Sequence, residues 1–214
     1  MNIALFGAKG RVGSAVVRLA KGHNLWQIDK DWQHNPLEKV DVAIDFALPC
    51  ATQEVVDFCK AHHCPLVTGV TGRNQSQLQL IEELSQMVTV VAKDNFSQGI
   101  ALLNDICNYL SSSCNWDTEI VEIHHKNKID TPSGTAKMLA STIAQSKGEF
   151  GKVTVHSLRV GSNFGGHVVV FGTSGESLTI THQAENVDVF AKGALECAVQ
   201  IGKIESKRLV FFKS

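Results

Sequence analysis

The sequence predicts an α/β protein: a doubly wound parallel sheet, then a second α+β domain built on a mixed or antiparallel sheet. Three observations predict it. Short apolar strands alternate with helically spaced segments as far as Ala92. A glycine turn, GAKGRVG (Gly7 to Gly13), joins the first strand to the first helix. Beyond Phe96 the alternation gives way to strands in series. Alternating strand and helix imply crossover connections between parallel strands, whereas strands in series imply hairpins.

Taken in order, NIALF (2–6) is a strand that breaks at Gly7, and Val12, Ala15, Val16 and Leu19 set a helix over 11–22. LWQID (25–29) and DVAIDF (41–46) are strands. Only eleven residues separate Asp29 from Asp41, and Pro36 is among them, so a loop or one helical turn is expected there. A helix over Thr52–His62, a strand over 65–70, a helix over Asn74–Met87 and a strand over 89–92 follow. The second domain opens with a helix over Gly99–Leu110, then the alternating strand WDTEIVEIHH and a helix over Pro132–Gln145. VTVHSLRV, GHVVVFG and ESLTITHQA are strands, the last two joined by TSG, and a helix over Val187–Ile201 ends the pattern. The expected division is 1–95, 96–186 and 187–214.

Composition narrows the function classes. With 43% apolar residues in 214, a core can form. A net charge of -1 gives no basic surplus for a nucleic-acid partner. No apolar run reaches the ~18 residues of a membrane span, and the apolar start lacks the charged region and cleavage site of a signal peptide. Six cysteines without a C-x-x-C pair fit buried, reduced thiols in a cytoplasmic protein. Cys59, His62, His63 and Cys64 match no standard zinc spacing, so no metal is expected.

The turn at Gly7, Ala8, Lys9, Gly10, Arg11 and Val12 follows a strand and opens a helix, the context of a dinucleotide fingerprint. Its spacing is G-x-x-G-x-x-G. Glycines let the backbone approach a pyrophosphate, and the helix start offers free N–H groups. Asp29 ends the second strand nineteen residues after Gly10, where an acid can accept from ribose hydroxyls. An aspartate repels a 2′-phosphate and so favours NADH. Lys30, next in sequence, attracts one and leaves NADPH open.

EIVEIHHKNKIDTPSGTAKML (Glu119–Leu139) concentrates the remaining chemistry. Histidine exchanges protons near neutral pH. Residues alternate faces along a strand, so His124 and His125 either face opposite walls or sit where the strand opens. Lys128 adds a charge suited to a proton donor or a carboxylate partner. Ser133 or Thr135 can cap the following helix, Gly134 permits close approach, and free N–H groups there suit an anion.

These residues resemble the dihydrodipicolinate reductase family. The resemblance is carried by E-I-V-E-x-H-H-x-x-K-x-D-x-P-S-G-T-A and extends over most of the chain. It includes the G-A-x-G-R-x-G turn, D-F-x-x-P at Asp45–Pro49, G-x-T-G at Gly69–Gly72 and N-F-S-x-G at Asn95–Gly99. L-R-V-G…G-H-x-V-x-F (158–171) and F-A-x-G-A-L (190–195) complete it. The resemblance implies a Rossmann domain and a mixed α/β substrate domain, with the C-terminal helix and tail (187–214) returning to the first domain, assembled as a homotetramer. It implies reduction of a cyclic unsaturated imine dicarboxylate in lysine and diaminopimelate biosynthesis, with NADH or NADPH. It assigns His124 as general acid/base and Lys128 as proton donor, with His125, Ser133, Gly134, Thr135 and Thr71 at the substrate. Gly7 to Val12 would hold the phosphates, and Asp29 the ribose. Phe46, Gly69, Val70, Thr71 and the segment Lys93, Asp94, Asn95 and Phe96 would lie along the cofactor.

The chain departs from the family pattern in being short, in Val70 for a threonine, in Lys93 for an alanine, and in Val187 for an arginine near the substrate. A dehydrogenase of another small carboxylate and a non-catalytic dinucleotide-binding paralogue share the architecture. The intact His124, His125, Lys128 and Ser133–Thr135 distinguish this chain from the latter.

Overall fold

A computed structural model describes residues 1–148 and 153–201, and the backbone of 209–211. The chain forms two compact units. One comprises Met1–Phe96 and the described residues from Val187 onward; the other comprises the described residues of 97–186.

The first unit is built on strands β1 (Asn2–Phe6), β2 (Asn24–Asp29), β3 (Trp32–His34), β4 (Val42–Asp45), β5 (Leu66–Thr68), β6 (Val90–Ala92) and β11 (Leu209–Phe211). Their order in the sheet is β11-β6-β5-β4-β1-β2-β3, parallel except for β3. Helices α1 (Arg11–Leu19) and α6 (Asp188–Ile201) cover one face, where Ile3, Leu5, Val42, Ile44, Val67 and Val91 meet Val16, Ala191, Ala194 and Ala198. Helices α2 (Thr52–His62) and α3 (Gln75–Ser85) cover the other, where Ala4, Phe6, Ala43, Leu66 and Val90 meet Val55, Val56, Ile81 and Leu84. Both faces are buried, so these strands are apolar throughout rather than alternating. The strand order reverses between the parallel neighbours β1 and β4, and ligands bind at such a point in folds of this kind.

Two features differ from the sequence reading. The segment after Asp29 is neither a bare loop nor a helical turn: it folds back as β3, antiparallel to β2, with Asp29 opposite Trp32. The short link cannot hold a crossover helix, and a hairpin is what its length permits. At the other edge, β11 extends the sheet beside β6, a strand hidden from periodicity analysis by its three-residue length.

The second unit carries β7 (Asp117–His124), β8 (Thr154–Arg159), β9 (Gly166–Thr173) and β10 (Glu176–Gln183), in the order β10-β9-β7-β8. The sheet is mixed. β9 pairs antiparallel with β7 and β10, but β8 lies parallel to β7, reached through helix α5 (Gly134–Ser146) as a βαβ unit. Helices α4 (Gln98–Ser113) and α5 bury Ile100, Leu103, Leu139 and Ile143 against Ile120, Val169 and Phe171. Each such side chain contributes about 1.5–3 kcal/mol of transfer free energy. Ser97 caps α4 by accepting from the N–H of Ile100 and lies 3.1 Å from His182 Nε2. A Cβ on Gly99 would come within 2.6 Å of the His182 ring, which explains the glycine of N-F-S-x-G.

Of the cysteines, Cys59, Cys64 and Cys107 are buried as expected, but Cys114 and Cys197 are half-buried and Cys50 is exposed; all six are free thiols. Among the described residues no group of three could hold a metal ion, and no helix is long and apolar enough to cross a membrane.

Candidate active site

At the reversal point β1 ends in Gly7, whose φ of +75° only glycine adopts readily. A side chain there would also strike the carbonyl of Phe46, at 2.5 Å. A Cβ on Gly13 would lie 2.0 Å from the carbonyl of Gly7, so the third glycine allows α1 to start against the strand end. Gly10 is the N-cap of α1 and makes no side-chain cap bond, which leaves the first-turn N–H groups for an anion. Arg11 is exposed, Val12 half-buried and Ala8 buried. Asp29 stands beside this turn. Its Oδ2 accepts from the N–H of Lys9 at 2.8 Å and its Oδ1 from that of Lys30 at 3.0 Å. The ammonium of Lys9 lies 4.3 Å from the centre of the Trp32 ring on the hairpin. A backbone cradle without side chains beside an oriented carboxylate fits a dinucleotide.

The ends of β4, β5 and β6 bring together the other residues expected along a cofactor. Gly69 has no room for a side chain, since a Cβ would sit 2.3 Å from the Phe46 ring. The rings of Phe46 and Phe96 meet edge to face at 6.0 Å, and the ammonium of Lys93 is 5.9 Å from the Phe96 centroid. Thr71 and Asp94 are exposed; Val70 and Asn95 are half-buried. Gly193 of α6 explains the glycine of F-A-x-G-A-L: a Cβ there would lie 1.8 Å from the carbonyl of Phe96.

Beneath the Gly69–Gly72 segment lies an ion pair that periodicity does not reveal. Arg73 Nη2 donates to Asp45 Oδ2 at 2.8 Å and to Thr68 Oγ1 at 2.9 Å, and Arg73 Nε donates to Thr52 Oγ1 at 3.0 Å. Both side chains are almost fully buried. Burial raises the pKa of Asp45 against the opposing pull of Arg73, and burial lowers that of Arg73.

In the second unit, one face of the sheet changes character along its length. Ile120, Val169 and Phe171 form core; the next positions on that face are Glu122 and His124 of β7, Arg159 of β8 and His167 of β9. Glu122 is fully buried, bonds to His124 Nδ1, and accepts from Arg159 Nη2 at 2.7 Å. Burial pushes the Glu122 carboxyl up, but the bond from Arg159 and the bond and charge of His124 hold it below the ordinary carboxylate range. Burial lowers the pKa of His124, with Glu122 opposing. His167 packs edge-on against His124 at 5.4 Å and is pushed down to about 3, by burial first. β7 ends at His124, so His125 stands in the following turn, half-buried, with its carbonyl accepting from the N–H of Lys128. That settles the two histidines: His124 turns inward on the strand and His125 follows it.

The Lys128 ammonium pairs with Asp130 at 2.7 Å. Asp130 also accepts from the N–H of Gly134, and with Lys128 this holds its carboxyl low despite partial burial. Helix α5 starts at Gly134, two residues later than the sequence reading, because Ser133 caps it by accepting from the N–H of Ala136 at 3.2 Å. Ser133 Oγ also lies 3.4 Å from His167 Nε2, and Thr135 is buried. His124, Lys128, Ser133 and Gly134 therefore gather at one end of the second unit.

Two models of dihydrodipicolinate reductase match the chain, the N-terminal part over residues 26–96 and the C-terminal part over 99–212. The chain belongs to the dihydrodipicolinate reductase family. It is 36% identical to the 4-hydroxy-tetrahydrodipicolinate reductase of Campylobacter jejuni, over 97% of this chain and 96% of the relative. It is also 36% identical to that of Thermosipho africanus, over 92% of this chain and 90% of the relative. Among solved structures, the dipicolinate-bound dihydrodipicolinate reductase from Paenisporosarcina matches with a TM-score of 0.76 and 23% identity, over 98% of this chain and 97% of that one. Aspartate dehydrogenase from Thermotoga maritima, at a TM-score of 0.54 and 16% identity, shares the fold.

The break between the two dihydrodipicolinate reductase models falls where the first unit gives way to the second, after Phe96. Val187, where the resemblance leads one to expect an arginine, packs at the edge of the first unit's core. The sequence reading quotes motifs that contain Glu122, Asp130, Arg159, His167 and Asp45 but gives those residues no role, and it does not single out Arg73. For Glu122 a role was legible from spacing: it lies two residues before His124 and so shares its face.

Proposed function

We propose that the protein reduces the cyclic imine dicarboxylate formed from 4-hydroxy-tetrahydrodipicolinate, giving tetrahydrodipicolinate, in the lysine and diaminopimelate pathway. The observation that carries the reading is the cluster of His124, Lys128 and the Ser133–Gly134–Thr135 helix start in a member of this family. A reduced nicotinamide supplies the hydride when bound. The chain's residues bind, orient and move protons. Gly7 to Val12 would take the pyrophosphate on the open turn of α1, and Asp29 the ribose. Phe46, Gly69, Val70, Thr71 and Lys93 to Phe96 would line the nicotinamide end. The N–H groups of Gly134 and Thr135, with Ser133 and His125, would hold substrate carboxylates. Charge developing on the substrate ring is quenched by a proton from Lys128 or His124. Positioning and charge stabilisation supply most of the catalysis.

NADH is the favoured cofactor in this proposal. Two backbone N–H groups hold the Asp29 carboxylate beside the glycine turn, and the 2′-phosphate of a cofactor bound there would meet its charge. A cytoplasmic homotetramer is proposed as well. Support comes from β10, an edge strand with most residues exposed, which a partner's sheet could cover. Light scattering of purified protein at the mass of four chains is expected; a monomer would remove the assembly proposal.

The function is tested by oxidation of NADH and NADPH with substrate made in place from pyruvate and aspartate semialdehyde by a dihydrodipicolinate synthase. Turnover faster with NADH is expected. Cofactor binding without turnover, with the synthase shown active, would refute the reaction.

A further inference from the structure

We propose that Glu122 and Arg159 are positioning residues for His124: Glu122 fixes the imidazole with its proton on Nδ1, and Arg159 keeps Glu122 an acceptor. The roles assigned so far stop at His124 itself. The proposal rests on the reading that His124 exchanges protons.

The geometry comes from the sheet. Glu122 and His124 are two apart on β7 and share a face, so the carboxylate reaches the near nitrogen of the ring. Arg159 is the register partner of His124 on β8, and its guanidinium meets the other oxygen of Glu122. Glu122 is fully buried, away from bulk solvent. An ionised carboxylate in such a place persists only with strong partners, and Arg159 and His124 supply them. A carboxylate accepts and cannot donate, so the hydrogen between it and the ring belongs to Nδ1. That leaves the Nε2 lone pair free in the neutral ring, and which nitrogen is protonated is set by the bond the other makes. Nε2 points past Gly165, where a Cβ would come within 3.1 Å. Gly165 has a φ of +140°, and its lack of a side chain keeps Nε2 uncovered.

Arg159 has a second connection. Its Nη2 also donates to the carbonyl of Asp130 at 2.6 Å and lies 3.3 Å from Thr131 Oγ1. Asp130 in turn holds Lys128. One guanidinium thus ties the strand that carries His124 to the turn that carries Lys128, and fixes both proton carriers. The charged and titratable groups around His124 are Glu122 on its own strand, Arg159 on β8, His167 on β9 and Lys128 in the turn. Burial keeps His167 neutral above about pH 3, so it adds no charge at working pH. Among the described residues, Glu122 is the group that supplies negative charge to the ring.

The test is nitrogen NMR of the imidazoles in the full-length protein, which reads tautomer and titration without requiring turnover. In the wild type, neutral His124 is expected as the Nδ1–H form; an Nε2–H form would overturn the proposal even if the reductase reaction proves correct. In Glu122→Gln the His124 pKa is expected to fall, because the opposing negative charge is gone. Turnover should fall on the order of 10²-fold with KM within about threefold. An unchanged His124 titration in a folded Glu122→Gln protein would also overturn it. Arg159→Lys gives a second route should Glu122→Gln not fold. It keeps the charge but loses the fork, so His124 should keep its tautomer while Lys128-dependent turnover declines. A protein that lacks the reaction yet shows the Nδ1–H form would sink the reductase reading and leave the positioning pair standing.

Discussion

Lys128 is where the proposed chemistry is most exposed to a single substitution. Its ammonium pairs with Asp130, and Lys128 belongs to a different unit from the Gly7–Gly13 turn. Lys128→Ala should reduce turnover on the order of 10²-fold or more, while NADH affinity, read by fluorescence titration, stays within about twofold. An equal loss in both would remove Lys128 from the proton-donor role. Arg73 makes a contrasting prediction. Arg73→Met leaves Asp45 charged and buried with no counter-ion and should cost about 3–5 kcal/mol in urea unfolding. Replacing both, as Asp45→Asn with Arg73→Met, should cost much less, because no charge is stranded. If the double variant were as unstable as the single, the stranded charge would not be the cause.

At the scale of elements, glycines decide how closely pieces of the first unit approach. Gly193→Ala offers a clear case. In a helix the exchange alone should stabilise by about 0.8–1.0 kcal/mol. The new methyl would instead lie 1.8 Å from the Phe96 carbonyl, so α6 must shift and the protein should lose stability. A rise in melting temperature would contradict this. The same elements show what a sequence can disclose. Parallel strands and their helices are legible because both sheet faces are apolar and the period switches between two and 3.6. β3 is not, since its three residues pair only once the hairpin has formed. β8 reads as another antiparallel strand because alternation is blind to direction. At the site, residue types and spacing single out His124, Lys128 and the Ser133 cap of α5, the last of which the structure shows. Arg159 and His167 appear in the quoted motifs without a role, because only strand register brings them beside Glu122 and His124.

For the molecule as a whole, acid should act first through buried histidine in the second unit. His167 has a pKa of about 3 in the folded protein, against 6.5 ordinarily. Between these values the unfolded chain takes a proton that the folded one refuses. Stability from this group is therefore full above about pH 6.5 and is lost as pH falls toward 3, by about 1.4 kcal/mol per unit. Urea unfolding at pH 7 and pH 5 should show a smaller drop for His167→Gln than for the wild type; equal drops would assign the acid sensitivity elsewhere.

The most direct measurement of the reductase claim follows the hydride itself. Protein supplied with NADH carrying deuterium at both C4 positions, and with substrate generated in place, should yield tetrahydrodipicolinate one mass unit heavier than with ordinary NADH. Lys128→Ala should yield the same labelled product more slowly. A product without the label, or NADH left unoxidised while substrate accumulates, would contradict the claim.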